Sequence, residues 1–294
     1  MRVTQSMLAN NFLRNLSTSY ERMGKYQDQL TTGKKVNRPS DDPVVAMKGM
    51  NYRTQLKEIE QYQRNLGEIQ TWMDNSDDAL DKSTKVLQRL RELATQASNG
   101  TYDAGQRANI AEEVKELRNH MVEIANTKVN NKYIFNGTDT TNPRFDKDGL
   151  LIANPPNDEG VNIAVSDGIT LKSNINPSNV FSEELFAELE NFADALENPA
   201  STEDDIAGYL GKIDQFANNV VDERANLGAR TNRLEMVEDR LSAQKIVATK
   251  VLSENEDIDY EKVITDLLTQ ESVHRAALSA GSRIIQPTLI DFLR

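Results

Sequence analysis

Side chains that could do chemistry are few in this sequence. It has two histidines, His120 and His274, and no cysteine, which removes disulfides, thiolate catalysis and zinc-thiolate sites. Neither histidine stands in a His-Glu-x-x-His or related ligand spacing, so both are expected on helix surfaces or seams. Carboxylates come in adjacent pairs at Asp41-Asp42, Asp77-Asp78, Glu183-Glu184 and Asp204-Asp205, and paired carboxylates can serve general acid-base catalysis. Helical neighbours, however, point about 100° apart, and acids at a helix start complement its dipole. Capping is therefore their expected role. Asp146-Lys147-Asp148-Gly149 has the front of a calcium loop, but its glycine comes two positions early and no glutamate stands at the twelfth; a turn is expected. Asn15-Leu16-Ser17 and Asn136-Gly137-Thr138 match the glycosylation sequon, a pattern common by chance. Glycine-rich phosphate loops and Gly-x-Ser-x-Gly are absent from the sequence. No catalytic residue, metal ligand or cofactor is expected, and the chain reads as a non-enzyme.

The sequence of 294 residues is 38% hydrophobic and 27% charged, with a net charge of −12. This favours an elongated over a spherical protein, and it disfavours nucleic acid, whose binding needs a basic face. The first residues lack the apolar core of a Sec signal peptide, and no run of about 18 apolar residues could span a membrane.

What the elements must position is helical. Ala9, Leu13, Leu16, Tyr20, Met23, Gln27 and Leu30 step by four and three, a coiled-coil seam on a helix from about Met7 to Leu30. Then comes punctuation: Gly33 suits a left-handed cap, Lys34 and Lys35 favour the negative end of the helix dipole, and Pro39 forbids continuation. Asp42-Pro43 is an N-cap with proline at the first helical position. A second stripe, Ile59, Tyr62, Leu66, Ile69, Met73, Ser76, Leu80, Ser83, Leu87, Leu90, Ala94 and Ala97, extends for roughly 58 Å. It ends at Asn99-Gly100, and a third helix with Ile110, Val114, Leu117, Met121 and Ile124 is expected to return antiparallel.

From about Tyr133 to Val180 the composition turns to Gly, Pro, Asn, Asp and Thr, and a β insertion is predicted, with a hairpin around Asp167-Gly168. A short helix carries Leu185, Leu189, Phe192 and Leu196. Next, Ile206, Ile213, Val220, Leu227, Leu234, Leu241 and Ala248 recur every seven residues with polar companions at Arg224, Thr231, Glu238 and Lys245, half of a seam. A break near residues 255–260 precedes a last helix with Val263, Leu267, Ala277, Leu278, Ile284 and Ile285. The expected fold is mainly α, a helical rod with coiled-coil termini and a small β insertion. The expected domains are terminal helices at 1–42 and 254–294, an antiparallel rod at 43–131 and 200–253, and the insertion at 132–199.

The terminal helices expose apolar stripes that a thin rod cannot cover; the two stripes either cover each other within one chain, or pair and also bury themselves against neighbouring subunits, which makes the ends the assembly surface. Leu13, Leu16, Tyr20, Met23 and Leu30 at one end, with Leu267, Ala277, Ile284, Leu289, Phe292 and Leu293 at the other, are the expected assembly interface. Head-to-tail contacts of that kind build rings or open helical arrays.

These residues resemble a known family. Leu30–Pro43, Arg64-Asn65-Leu66 and Leu90–Gly100 are similar to the N-terminal half of the flagellin superfamily, and Asn226–Leu234 with Thr288–Leu293 to its C-terminal half. The Pro-Ser-Asp-Asp-Pro break and the string Lys132–Thr140 resemble the hook-associated protein 3 group, although Pro143-Arg144-Phe145 departs from that group's Pro-Pro-Phe. The resemblance implies a non-catalytic junction adaptor between the first hook-associated protein and the flagellin filament. It also implies a ring with copies of itself, an export chaperone as partner, and type III export without a cleavable signal. Flagellin itself and a secreted coiled-coil binding module are the rival readings.

Overall fold

The computed structural model describes residues 5–99, 103–153 and 155–285. Among them are α1 (Gln5–Thr32), α2 (Pro43–Ala97), α3 (Ala104–Ala125), β1 (Lys128–Val129), β2 (Lys132–Tyr133), β3 (Asn162–Ser166), β4 (Ile169–Lys172), α4 (Pro177–Val180), α5 (Glu183–Glu197), α6 (Glu203–Glu256) and α7 (Tyr260–Ile285). The chain divides into two compact units, one from Ile59–Ala243 and one from the segments up to Glu58 and from Gln244.

The unit Ile59–Ala243 is a bundle of antiparallel helices. Arg89 of α2 pairs with Glu113 of α3 at 2.7 Å, Arg91 of α2 with Asp214 of α6 at 2.6 Å, Lys115 of α3 with Glu197 of α5, and Glu188 of α5 with Lys212 of α6 at 2.7 Å. The α2 stripe is buried from Leu66 to Ala97, with Ile59 and Tyr62 packed against it. A further series, Trp72, Ala79, Val86 and Leu93, is buried beside it and lies outside the expected seam. The reason is that α2 meets α3 and α6 together, and two neighbours need a wider apolar face than one. Ser76 and Ser83 sit in the buried stripe because their hydroxyls donate back to the Trp72 and Ala79 carbonyls at 2.8 and 2.9 Å.

Helix ends follow local chemistry. Asp42 accepts from the Val44 and Val45 amides at 3.0 and 3.1 Å, and Asp103 with Gln106 forms a capping box on α3. Ser182 caps α5 with Glu183 and Glu184 in the first turn. Thr202 and Asp205 cap α6 reciprocally, and the Thr202 hydrogen bonds hold the Asp205 carboxyl below the usual aspartate range. The pair Asp77-Asp78 does not cap. It lies inside α2, where Asp77 takes both Nε and Nη2 of Arg224 at 3.0 and 3.2 Å and Asp78 takes Lys82 at 2.7 Å. Arg224, a polar residue on the expected seam of α6, is thus a second link to α2, beside Asp214.

Between α3 and α5 the strands are short. β3 and β4 form the expected antiparallel hairpin, with Gly168 of its turn at φ +67. β1 and β2 form an unexpected one through Asn130 and Asn131, at φ +49 and +64, a two-residue turn that asparagine tolerates. The remainder is irregular chain with α4, pinned by side chains in place of ladders, so the insertion is less β-rich than expected. Asn126 accepts from the amides of Arg144 and Phe145 at 3.1 and 3.2 Å and donates to the Phe145 carbonyl at 2.9 Å. Asp146 accepts from the amides of Asp148 and Leu150 at 3.0 and 2.8 Å, so the calcium-like string is a turn. Phe135 packs edge-on against Phe181 at 5.0 Å, and Phe145 against Phe186 at 4.6 Å.

In the other unit α1 and α7 run side by side. Their antiparallel course is marked by Tyr260 against Gly33, by Gln270 donating to Ser19 Oγ at 2.8 Å, and by Phe12 against Gly281.

Candidate assembly interface

On α1 the residues turned toward α7 are the half-buried Ala9, Phe12, Leu16, Ser19, Met23, Tyr26 and Leu30. This too is a three-four series, and it shares Ala9, Leu16, Met23 and Leu30 with the expected seam. The difference is a correction: within the chain Phe12, Ser19 and Tyr26 occupy the positions assigned from the sequence to Leu13, Tyr20 and Gln27. Phe12 wins because α7 offers it Gly281, a buried residue whose missing Cβ leaves the space the ring fills. Leu13 and Tyr20 are 54% and 65% exposed.

α7 shows the same division. Val263 is buried, Leu267, Gln270, His274 and Ala277 are half-buried, and Gly281 is buried, again stepping by four and three. Ile264, Leu268, Val273 and Leu278 are exposed. Each terminal helix therefore carries one apolar stripe turned to its partner helix and further apolar residues that stay exposed among the described residues. Ile284 lies in the last turn of α7, while Leu289, Phe292 and Leu293 lie outside the described residues.

His274 is a seam residue, its ring 6.2 Å from that of Tyr20. His120 is exposed on α3 with Nδ1 3.5 Å from Glu123. Among the described residues no three His, Cys, Asp or Glu side chains converge as metal ligands, and no helix is long and apolar enough to cross a membrane. Sequence reasoning missed Phe12 and Gly281. The available signal was that Phe12 and Tyr26 also fit a three-four series with Leu16 and Met23.

One unit of two long terminal helices closing on each other, and another that is an antiparallel bundle with a small insertion between its helices, define the class. Residues 3–140 match the bacterial flagellin N-terminal helical region and residues 210–293 the bacterial flagellin C-terminal helical region; the chain belongs to the flagellin superfamily. Within it, the chain is similar to flagellar hook-associated protein 3 of Escherichia coli strain K12, at 28% identity covering 95% of this chain and 96% of that one. It is also similar to flagellin of Bacillus subtilis strain 168, at 29% identity covering 94% of each. The crystal structure of Bacillus cereus FlgL shares the fold, with a TM-score of 0.60 and 23% identity covering 69% of this chain and 99% of that one.

Proposed function

We propose that the chain is a structural adaptor of the bacterial flagellum that joins the hook, through the first hook-associated protein, to the flagellin filament. It works outside the cell, reached by type III export without a cleavable signal peptide and with the help of an export chaperone. The observation that carries the reading is the end-to-end similarity to hook-associated protein 3. The terminal helices support the mechanism: α1 and α7 close on each other through one stripe and keep Leu13, Tyr20, Ile264, Leu268, Val273 and Leu278 outward. Burying that outward area between subunits, at about 25 cal/mol per Å², offsets the entropy lost on ordering the ends. Leu289, Phe292 and Leu293, which lie outside the described residues, are assigned to the same assembly role from the sequence alone, and the array is a ring of this chain's own copies. In this division of labour residues 1–42 and 254–294 assemble, residues 43–131 and 200–253 form the rod, and residues 132–199 form the insertion.

The test is deletion of the gene in the parent bacterium, followed by electron microscopy and an assay of flagellin in the medium. Hooks without filaments and flagellin shed into the medium, rescued by the full chain but not by one lacking Leu289–Arg294, is the expected result. The similarity to Bacillus subtilis flagellin favours a second reading, that this is the filament subunit. Under that reading the deletion strain would lack flagellin altogether. Normal filaments would overturn both.

A further inference from the structure

The breaks that precede α2 and α7 are joined at one carboxylate. After α1 the chain turns at Gly33, whose φ of +71 suits glycine and whose missing Cβ leaves room for the Tyr260 hydroxyl. It then runs antiparallel to the α6–α7 junction: the Ile258 amide donates to the Gly33 carbonyl at 3.0 Å and the Lys35 amide to the Glu256 carbonyl at 2.6 Å. Lys34 and Lys35, expected at the end of their own helix, reach instead to α6. Lys34 Nζ lies 2.9 Å from Glu256 Oε2, and Lys35 Nζ donates to the Glu254 carbonyl at 2.7 Å. Arg53 of α2 reaches the same Glu256 oxygen at 2.6 Å. The carboxylate itself, 12% exposed, fills the space left by the missing Cβ of Gly49, a buried residue of α2. One side chain on α6 therefore touches the loop after α1 and a face of α2, directly before α7 begins.

We propose that Glu256 is the pin of a charge latch that sets whether the α1–α7 pair is closed. Its geometry separates it from ordinary surface ion pairs. The carboxylate is largely withdrawn from water, two cations share one oxygen, and a bare glycine backbone replaces the solvent that would compensate a lost partner. The pairing of α1 with α7 otherwise rests on half-buried stripes, since Ile258 and Val263 are the only buried hydrophobic residues outside Ile59–Ala243 among those described, so a withdrawn charge cluster beside it carries weight. The latch stands apart from the adaptor reading: it concerns when the terminal helices are paired, whichever flagellar position they serve.

Hydrogen exchange of the full chain, read by mass spectrometry, tests it. In Glu256→Gln the amides of α1 and α7 are expected to exchange at least ~10-fold faster, as for loss of a partly buried charged pair, with those of residues 59–243 unchanged. Lys34→Met, which removes one of the two cations on that oxygen, gives a smaller acceleration in the same amides. In wild type the same amides exchange faster as salt rises from about 0.1 M to about 1 M, where the screening length falls from roughly 10 Å to roughly 3 Å. In Glu256→Gln that salt response is lost. Adding Glu256→Gln to Lys34→Met/Arg53→Met produces no further acceleration if the charges act together. Wild-type exchange in Glu256→Gln, acceleration spread evenly over residues 59–243, or a full further ~10-fold acceleration on adding Glu256→Gln to Lys34→Met/Arg53→Met would each overturn the latch.

Discussion

At the scale of the residue, this chain uses its charged and polar side chains as fasteners. Arg144 is the deepest case: its side chain, 2% exposed, donates to the Asn157 carbonyl at 3.1 Å, to Asp158 at 2.9 Å and to the Ser178 hydroxyl at 2.7 Å. Burial lowers the guanidinium's pKa and Asp158 opposes that, but an arginine stays charged at any working pH. Arg144→Met removes three bonds and leaves their acceptors behind, so it is expected to cost about 2–4 kcal/mol, read as a lower urea midpoint for Ile59–Ala243. Glu256 makes a prediction in pH. Burial pushes its carboxyl up, the hydrogen bonds from Arg53 and Lys34 pull it down by more, and the net lies below the ordinary 4.5. The other groups around it, Lys35, Asp257 and Tyr260, do not reverse that direction. A depressed folded pKa means stability that is fully present above 4.5 and lost as pH falls through the folded value. Exchange of α1 and α7 amides is therefore expected to rise in wild type only below that point, and Glu256→Gln to lack the step.

At the scale of the element, the pairing of α1 with α7 turns on Phe12 and Gly281, and so does the limit of what the sequence told. Gly281→Val puts a branched side chain where the Phe12 ring lies, and is expected to open the pair by about 1–3 kcal/mol, as overpacking does. Phe12→Ala in the same chain should recover part of that loss; a double-mutant cycle by hydrogen exchange gives the coupling. Helix starts, the Asp167-Gly168 hairpin and the buried α2 stripe were legible because caps, turns and periodicity are local signals. The face of α1 used inside the chain was not. Stripes through Leu13 and Tyr20 or through Phe12 and Tyr26 share every second position, and only the glycine on α7 decides between them. That glycine is nearly 270 residues away in sequence, beyond the reach of any periodicity. Trp72, Ala79, Val86 and Leu93 were missed for a related reason, since the number of neighbours a helix has is not written in the helix. The pinned loops were missed because hydrogen bonds such as those of Asn126 leave no repeating pattern.

At the scale of the whole molecule, the distribution of burial decides what each unit can do alone. The contiguous apolar core runs from Leu66 to Leu241, so the unit Ile59–Ala243 carries the stability and the terminal segments hold little of their own. Two transitions are expected in urea: an early one reported by Tyr20 and Tyr26, and a later one reported by Trp72. A single coincident transition would contradict this. The same imbalance makes the outward residues of α1 a clean probe of assembly. Leu13 and Tyr20 are exposed, so Leu13→Asp/Tyr20→Asp is expected to move neither transition of the isolated chain by more than about 0.5 kcal/mol, as for other surface changes. In the deletion strain, however, that variant should fail to restore filaments although it is secreted, while Phe12→Ala, which weakens pairing within the chain, should move the first transition as well. Filaments restored by Leu13→Asp/Tyr20→Asp would mean that the outward stripe is not where neighbours bind, and would shift assembly to Ile264, Leu268, Val273 and Leu278 on α7. The two outcomes are separable because one pair of side chains faces out and the other faces in on the same helix, one residue apart.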